Sequence, residues 1–402
     1  MTYLNRRLVV LCLSAACGGG GGGGDPDGGA RADSGPDPSC DESELPVAWS
    51  TSLESPKNPI SFDTDGSLLI AVSRMGGEPW YCAGLARLAG DGDEVWRHPY
   101  DPSPPPAENY APCPSWWNGI ALASNGAIVT IGDDVTGDPE GATDVVLRKH
   151  DGNGDQLWTY YNQNAPDGLE GSDRAADVAV DPDGFVVAAG TVASRAWVGR
   201  FAPNGDPDWI WSGSTSGEDA VDVEGAADGT AFVGIATGPE ATPYRIARFD
   251  PAGTETTIAE MSRQATLNIT PDGGLLFVAG ATEPLLRKID ASGEVVWEQP
   301  LAIQIEDEHC HSDRGSPASI AIDPEGSIYL TLSGRYENTD DPEFPSTEEF
   351  TALARFSPEG ELLSTHLLEV NDPGVLEIGP GGEIAMIVGE RLVVAAPLDG
   401  GG

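Results

Sequence analysis

Ile60-Ser-Phe-Asp63-Thr-Asp-Gly66-Ser-Leu-Leu-Ile70 is the stretch that decides the fold. Apolar residues alternate on both sides of a short acidic turn that ends in glycine, the sequence form of a β-hairpin. The pattern returns around Gly126 (IALASNGAIVTIG), Gly184 (VAVDPDGFVVAAG), Gly229 (VEGAADGTAFVG), Gly273 (LNITPDGGLLFVAG), Gly326 (IAIDPEGSIYLTLSG) and Gly382 (LEIGPGGEIAMIVG). These seven copies stand 60, 58, 45, 44, 53 and 56 residues apart. In Asp181-Pro-Asp-Gly184 and Asp323-Pro-Glu-Gly326, proline presets φ and glycine supplies the positive φ that closes the turn.

A second motif lies between the copies. A basic residue is followed five positions later by glycine, in the pairs Arg87–Gly92, Lys149–Gly154, Arg200–Gly205, Arg248–Gly253, Lys288–Gly293 and Arg355–Gly360. Trp96, Trp158, Trp209 and Trp297 stand four residues after that glycine. Each motif is a hairpin, and two hairpins make a four-stranded blade. Units of 44–60 residues suit a β-propeller better than a helical solenoid.

Seven first hairpins are present but only six second ones, and the last unit stops after Arg391-Leu-Val-Val-Ala-Ala-Pro. Pro46-Val-Ala-Trp49-Ser resembles Glu94-Val-Trp96 and supplies the missing outer strand. An N-terminal strand that completes the last blade closes the ring and removes exposed edges. The expected fold class is all-β: one seven-bladed propeller of four-stranded blades over residues 41–398, closed by an N-terminal strand. The pattern resembles quinoprotein-like (PQQ-like) propellers with a recurrent late-blade tryptophan, and the SBBP-type propeller repeats of bacterial surface proteins. The resemblance implies a fold and says little about activity.

The N-terminus reads as an address. Arg6 and Arg7 precede the apolar run Leu8–Ala16, and Leu13-Ser-Ala-Ala-Cys17 follows the form of a cleavage site. Residues 1–16 are expected to be a signal peptide. The segment resembles a bacterial lipoprotein signal, which implies lipidation of Cys17 and, with Gly18 next, sorting to the outer membrane. Ordinary secretory cleavage, leaving a periplasmic or secreted protein, is the alternative, since Ser14 and Ala16 suit that enzyme too. In residues 17–40, Cys17 is followed by seven glycines, Gly18–Gly24, and the segment is expected to form a flexible tether reaching about 25 Å.

Charge excludes other partners. The 402 residues carry 65 Asp+Glu against 21 Lys+Arg, a net −44. Such a surface repels nucleic-acid backbones and anionic lipid, so membrane contact is expected only through the lipid anchor. The partner class is an extracellular protein or glycan.

Strand direction alternates within a blade, so both glycine turns fall at one end of the disc and the long connections at the other. A ligand site is expected among those connections. Loop aromatics outside the repeat are the candidate binding residues: Trp80, Tyr81, Tyr110, Trp116, Trp117, Tyr160 and Tyr161. The alternative is that they seal the loops against the blades. Asp63/Asp65 and Asp181/Asp183 suggest calcium, but capping of tight turns explains them better. Glu306–Asp313, with His309, Cys310 and His311, lacks a second ligand pair and reads as a solvated acidic loop, so no metal is assigned. Of Cys40, Cys82, Cys113 and Cys310, the pair Cys82–Cys113 shares the connections around the first blade and is expected to be a disulfide. Cys40 with Cys310 is left by elimination. No nucleophile elbow, zinc-protease helix or phosphate loop is present, so no catalytic residue and no cofactor is assigned. The function read from the sequence is an envelope-anchored binding or scaffold module. The alternative is a secreted hydrolase or lyase using loop carboxylates, or a degenerate quinoprotein.

Overall fold

The computed structural model describes residues 10–12, 47–52, 59–75, 82–99, 114–135, 143–162, 173–238, 244–261, 265–279, 284–304, 310–338, 346–368, 373–388 and 391–398. Among these, every regular element is a strand, and the strands form seven four-stranded antiparallel sheets. The first blade comprises Ile60–Phe62, Leu68–Met75, Cys82–Leu88 and Glu94–Pro99, hydrogen-bonded in that order. Five further blades repeat the arrangement in chain order. The seventh takes Pro373–Ile378, Ile384–Val388 and Arg391–Ala395, and its outermost strand is Val47–Ser52. That strand runs antiparallel to the last one, from Val47 opposite Ala395 to Ser52 opposite Arg391. The ring therefore closes as the hairpin count requires. Within 1–16, Val10–Cys12 pairs with Ala302–Gln304; the remainder of that segment and the tether lie outside the described residues.

The core is not at the centre of the disc. It is divided among the seams between blades. One cluster joins Leu68, Ile70 and Val72 of the first blade to Ala385, Ile387 and Leu392 of the seventh, across the closure. Another joins Val129 and Leu147 of the second blade to Val186 and Phe201 of the third. Phe201, Phe249 and Phe356 directly follow the motif's basic residue and are fully buried. Strand alternation puts the cation on one face of the blade and the ring on the other. Burying each ring stabilises the seam by about 1.5–3 kcal/mol.

The thirteen glycine turns share one geometry: the glycine N–H donates to the carbonyl three residues back. Glycine φ lies between 78° and 93° in all of them, as a type I turn with a left-handed closing residue requires. The second-hairpin glycines have a further reason to be glycine. A Cβ on Gly205 would lie 2.9 Å from the Trp158 ring of the preceding blade, and one on Gly92 would lie 2.8 Å from Trp49. The recurrent tryptophans are thus seam fasteners, and Trp49 occupies the same position in the seventh blade. Three of the five donate their indole N–H to a carbonyl in the neighbouring turn: Trp49 to Gly90 (2.8 Å), Trp158 to Pro203 (3.0 Å) and Trp209 to Pro251 (3.2 Å).

Candidate functional site

At the turn end, the repeated cations are held internally. Arg87 bonds Asp63 at 2.6 Å and Asp65 at 2.9 Å, and reaches the Gly152 carbonyl of the next blade at 3.2 Å. Arg200 bonds Asp181 (3.2 Å) and Asp208 (2.8 Å), then the Pro251 carbonyl (3.3 Å). Asp63, Asp65 and Asp181 therefore face a guanidinium as well as turn amides, as a structural device should.

The axial channel is different. The innermost strand of each blade has no sheet partner on its channel side, which leaves backbone N–H groups along a free edge. Side chains of the preceding blade satisfy several of them. Asp177 Oδ2 accepts from the Val223 N–H (3.2 Å), Asp222 Oδ2 from Leu267 (3.0 Å) and Ser319 Oγ from Leu376 (3.2 Å). All three acceptors lie seven residues before the first-turn glycine of their own blade. The ladder register shifts beside each of them, between Ala175/Asp177, Ala220/Asp222 and Pro317/Ser319. A bulge re-aims the side chain that follows it.

Two more acids, Glu224 and Glu377, stand five residues before their turn glycines on the same innermost strands. Burial pushes Asp177 upward from the ordinary carboxylate range, and the two backbone N–H groups it accepts partly oppose this. Burial and the adjacent Asp177 charge push Asp222 well up, and the two side chains are hydrogen-bonded to each other. Burial, then Asp222, does the same to Glu224, and burial raises Glu377 to about 8. All four keep some exposure although protein encloses them deeply, so the surface they retain is that of the channel. Like charges so placed cannot all ionise together.

A second acidic group lies where the long connections leave the second and third blades. Asp133 Oδ1 accepts from the Ala175 N–H at 2.5 Å, and its Oδ2 accepts from Asn118 Nδ2 at 3.2 Å. Asp173 is buried and accepts from the Ala193 N–H at 3.0 Å. Burial raises both, and the charges of Asp144 and Asp133 raise Asp173 further. Ala193 and Ser194 hold φ of 50° and 61° in a two-residue hairpin turn, a conformation L side chains rarely adopt.

Three of the loop aromatics named from the sequence have described side chains, and all three pack into seams. Trp117 is 3 % exposed between the first two blades, with the Arg148 guanidinium 5.5 Å from its ring centroid. Tyr160 packs 4.6 Å from Phe201 of the third blade. Tyr161 takes a hydrogen bond from Arg148 Nη2 at 3.2 Å. Trp117 lies buried in the seam of the first two blades. Trp80, Tyr81, Tyr110, Cys17, Cys40 and Cys113 lie outside the described residues, as do the side chains of Trp116, Cys82 and Cys310. Residues 306–309 do too, as do the side chains of residues 310–313. Among the described residues, no three His, Cys, Asp or Glu side chains gather closely enough to hold a metal ion. The channel acids were not singled out from the sequence. Aligned seven residues before the turn glycine, the column reads Pro59, Gly119, Asp177, Asp222, Thr266, Ser319 and Val375, too mixed to mark a site.

No known family's pattern matches this sequence, and no curated protein does. Solved structures do match. A streptogramin B lyase superposes with a TM-score of 0.56 at 13% identity, over 87% of this chain and 97% of that one. The WD40 propeller domain of Doa1 gives 0.53 at 12% identity, over 88% and 98%. The propeller of Dos1 gives 0.50 at 9% identity, over 88% and 95%. What they share is the propeller. At this identity nothing about ligand or reaction carries over.

Proposed function

We propose that this propeller is an extracytoplasmic binding module. It takes a basic segment of a partner protein at the end of the axial channel where the long connections meet. The observation that supports this reading is the buried acidic group of Asp133 and Asp173. Burial holds back the ionisation of both, the charges of Asp144 and Asp133 add to it at Asp173, and Arg174 only partly offsets it at Asp133, so a further arriving cation favours their charged forms. At the opposite end the repeated cations Arg87, Arg200 and Lys288 are already paired with acids of their own blades. Lipidation at Cys17 would hold the module at the envelope surface on its glycine tether. Metabolic labelling with a radioactive fatty acid, comparing the full chain with Cys17→Ser, tests that part.

Binding of a lysine-rich peptide tests the site. Affinity should rise from pH 5 to pH 8 with release of protons, read by titration calorimetry in two buffers of different ionisation enthalpy. Asp133→Asn with Asp173→Asn should weaken binding about tenfold, or about 1.4 kcal/mol. The charge-matched Asp91→Asn/Asp93→Asn pair at the turn end should leave it unchanged. Equal losses in the two double variants would reduce the effect to general attraction by an acidic protein.

A second reading rests on Asp177 and Asp222. Two hydrogen-bonded carboxylates, one protonated and one ionised, form an acid–base pair, the arrangement a hydrolase or lyase would use. Turnover in a screen of glycoside and lactone substrates, abolished by Asp222→Asn, would favour it.

A further inference from the structure

The seven seams invite comparison at one atom, the backbone carbonyl two residues before each second-turn glycine. At Gly152, Pro203 and Pro251 this carbonyl accepts from the basic residue of the preceding blade: Arg87 (3.2 Å), Lys149 (3.3 Å) and Arg200 (3.3 Å). Arg355 reaches the corresponding Leu398 carbonyl at 2.9 Å, and Trp49 reaches that of Gly90 at 2.8 Å. At Pro358, in the seam between the fifth and sixth blades, no described side chain donates. Lys288 holds the donor position but turns back to Asp272 Oδ2 at 2.9 Å. The Ala291 carbonyl of the preceding seam also lacks the bond, and there Arg248 lies instead toward Thr230 Oγ1 at 3.3 Å.

The cause of the turned lysine is a single residue. Lys149, the other lysine in this position, has Asn125 where Lys288 has Asp272, and it crosses its seam to Pro203. A carboxylate captures an ammonium that an amide lets pass. Beside the turned Lys288 lies a cavity of about 190 Å³, with Asp272, Lys288, Glu325 and Pro358 at its mouth and Leu276 and Ile328 as its buried floor. It is on the turn face, away from the channel acids. Asp272 is 64 % exposed and Glu325 is exposed too; Lys288 pairs with Asp272, and no described cation pairs with Glu325. Arg355 of the sixth blade bonds Ser327 and the Leu398 carbonyl, which leaves the Glu325 carboxylate without an ion-pair partner among the described residues.

We infer that this seam binds a primary alkylammonium. Its N–H groups would donate to the Pro358 carbonyl and the Glu325 carboxylate, and its methylenes would lie on Leu276 and Ile328. A lysine side chain of a partner and a free amine share that chemistry. The site does not depend on the function proposed for the channel end.

Chemical-shift titration of the full chain with n-butylammonium tests the inference, with tetramethylammonium as an equally charged ion that has no N–H donor. Comparing an Nα-acetyl-lysine amide with butylammonium separates a side chain from a free amine. The variants carry opposite signs. Glu325→Gln should weaken butylammonium about threefold to fivefold, the range of an exposed ion pair. Lys288→Ala should strengthen it, by removing the resident cation. Asp272→Asn should abolish it, because Lys288 is then free to cross to Pro358 and fill the seam. Asp91→Asn/Asp93→Asn should change nothing. Wild type binding tetramethylammonium as well as butylammonium, or Asp272→Asn binding as wild type does, overturns the inference. So does a loss in the Asp91/Asp93 variant equal to that in Glu325→Gln.

Discussion

Replacing Glu377 by glutamine should stabilise the protein at alkaline pH and do almost nothing in acid. Glu377 is an acid on an innermost strand, among other acids, and burial lifts it from 4.5 to about 8 in the folded chain. A carboxyl raised on folding binds its proton more tightly in the native state than in the unfolded one. Its contribution is therefore full below pH 4.5, is lost as pH rises toward 8, and is absent above that. At about 1.4 kcal/mol per pH unit, the full shift corresponds to roughly 5 kcal/mol as an upper bound. The side chain keeps some contact with the channel, and neighbouring acids titrate with it, so about 2 kcal/mol is the working figure. Unfolding entropy scales to about 0.7 kcal/mol/K for roughly 350 folded residues, so the variant should melt about 3 °C higher at pH 8.5. At pH 4.5 the two proteins should melt together. Differential scanning calorimetry at both pH values, with ionic strength held constant, measures this. The general repulsion of an acidic protein grows with pH in both proteins and cancels in the comparison. A glutamine variant that gains equally at both pH values, or loses at pH 8.5, would refute the assignment of a proton to Glu377.

Other expectations concern the seams and the net charge. Gly205→Ala combines a left-handed φ of 93° with a Cβ placed 2.9 Å from Trp158, and should cost about 2–4 kcal/mol in urea unfolding. A cost below about 0.5 kcal/mol would mean that the tryptophan seam is not tightly packed. Trp49→Ala removes the fastener of the closing strand and should lower stability by about 2–4 kcal/mol. It should also speed proteolysis near Val47–Ser52, and an unchanged cleavage rate there would speak against ring closure. Thermal stability should rise modestly between about 10 mM and 0.5 M NaCl as self-repulsion is screened, and a fall would contradict that account.

Much of the architecture can be read without coordinates because a propeller repeats its local rules. Alternation sets each strand, glycine each turn, and the recurrent tryptophan marks where one blade meets the next. Even the closure is legible, because a missing seventh outer hairpin leaves Pro46–Ser50 as the strand that can supply it. The channel acids are a different matter. Asp177, Asp222, Glu224 and Glu377 are four of 65 acids, and nothing local separates them from those that cap turns at the surface. Trp117 shows the converse, since a residue outside the repeat looks free for a ligand until the neighbouring blade covers it.

Hairpins, their number and their order follow from short-range patterns: steric limits on φ, and the two-residue period of a strand. Which acids end up face to face around the axis, and which lysine turns away from its seam, depends on residues tens to hundreds of positions apart. Those distances are set only when the ring closes, because burial and mutual repulsion belong to the assembled channel and to no segment of it.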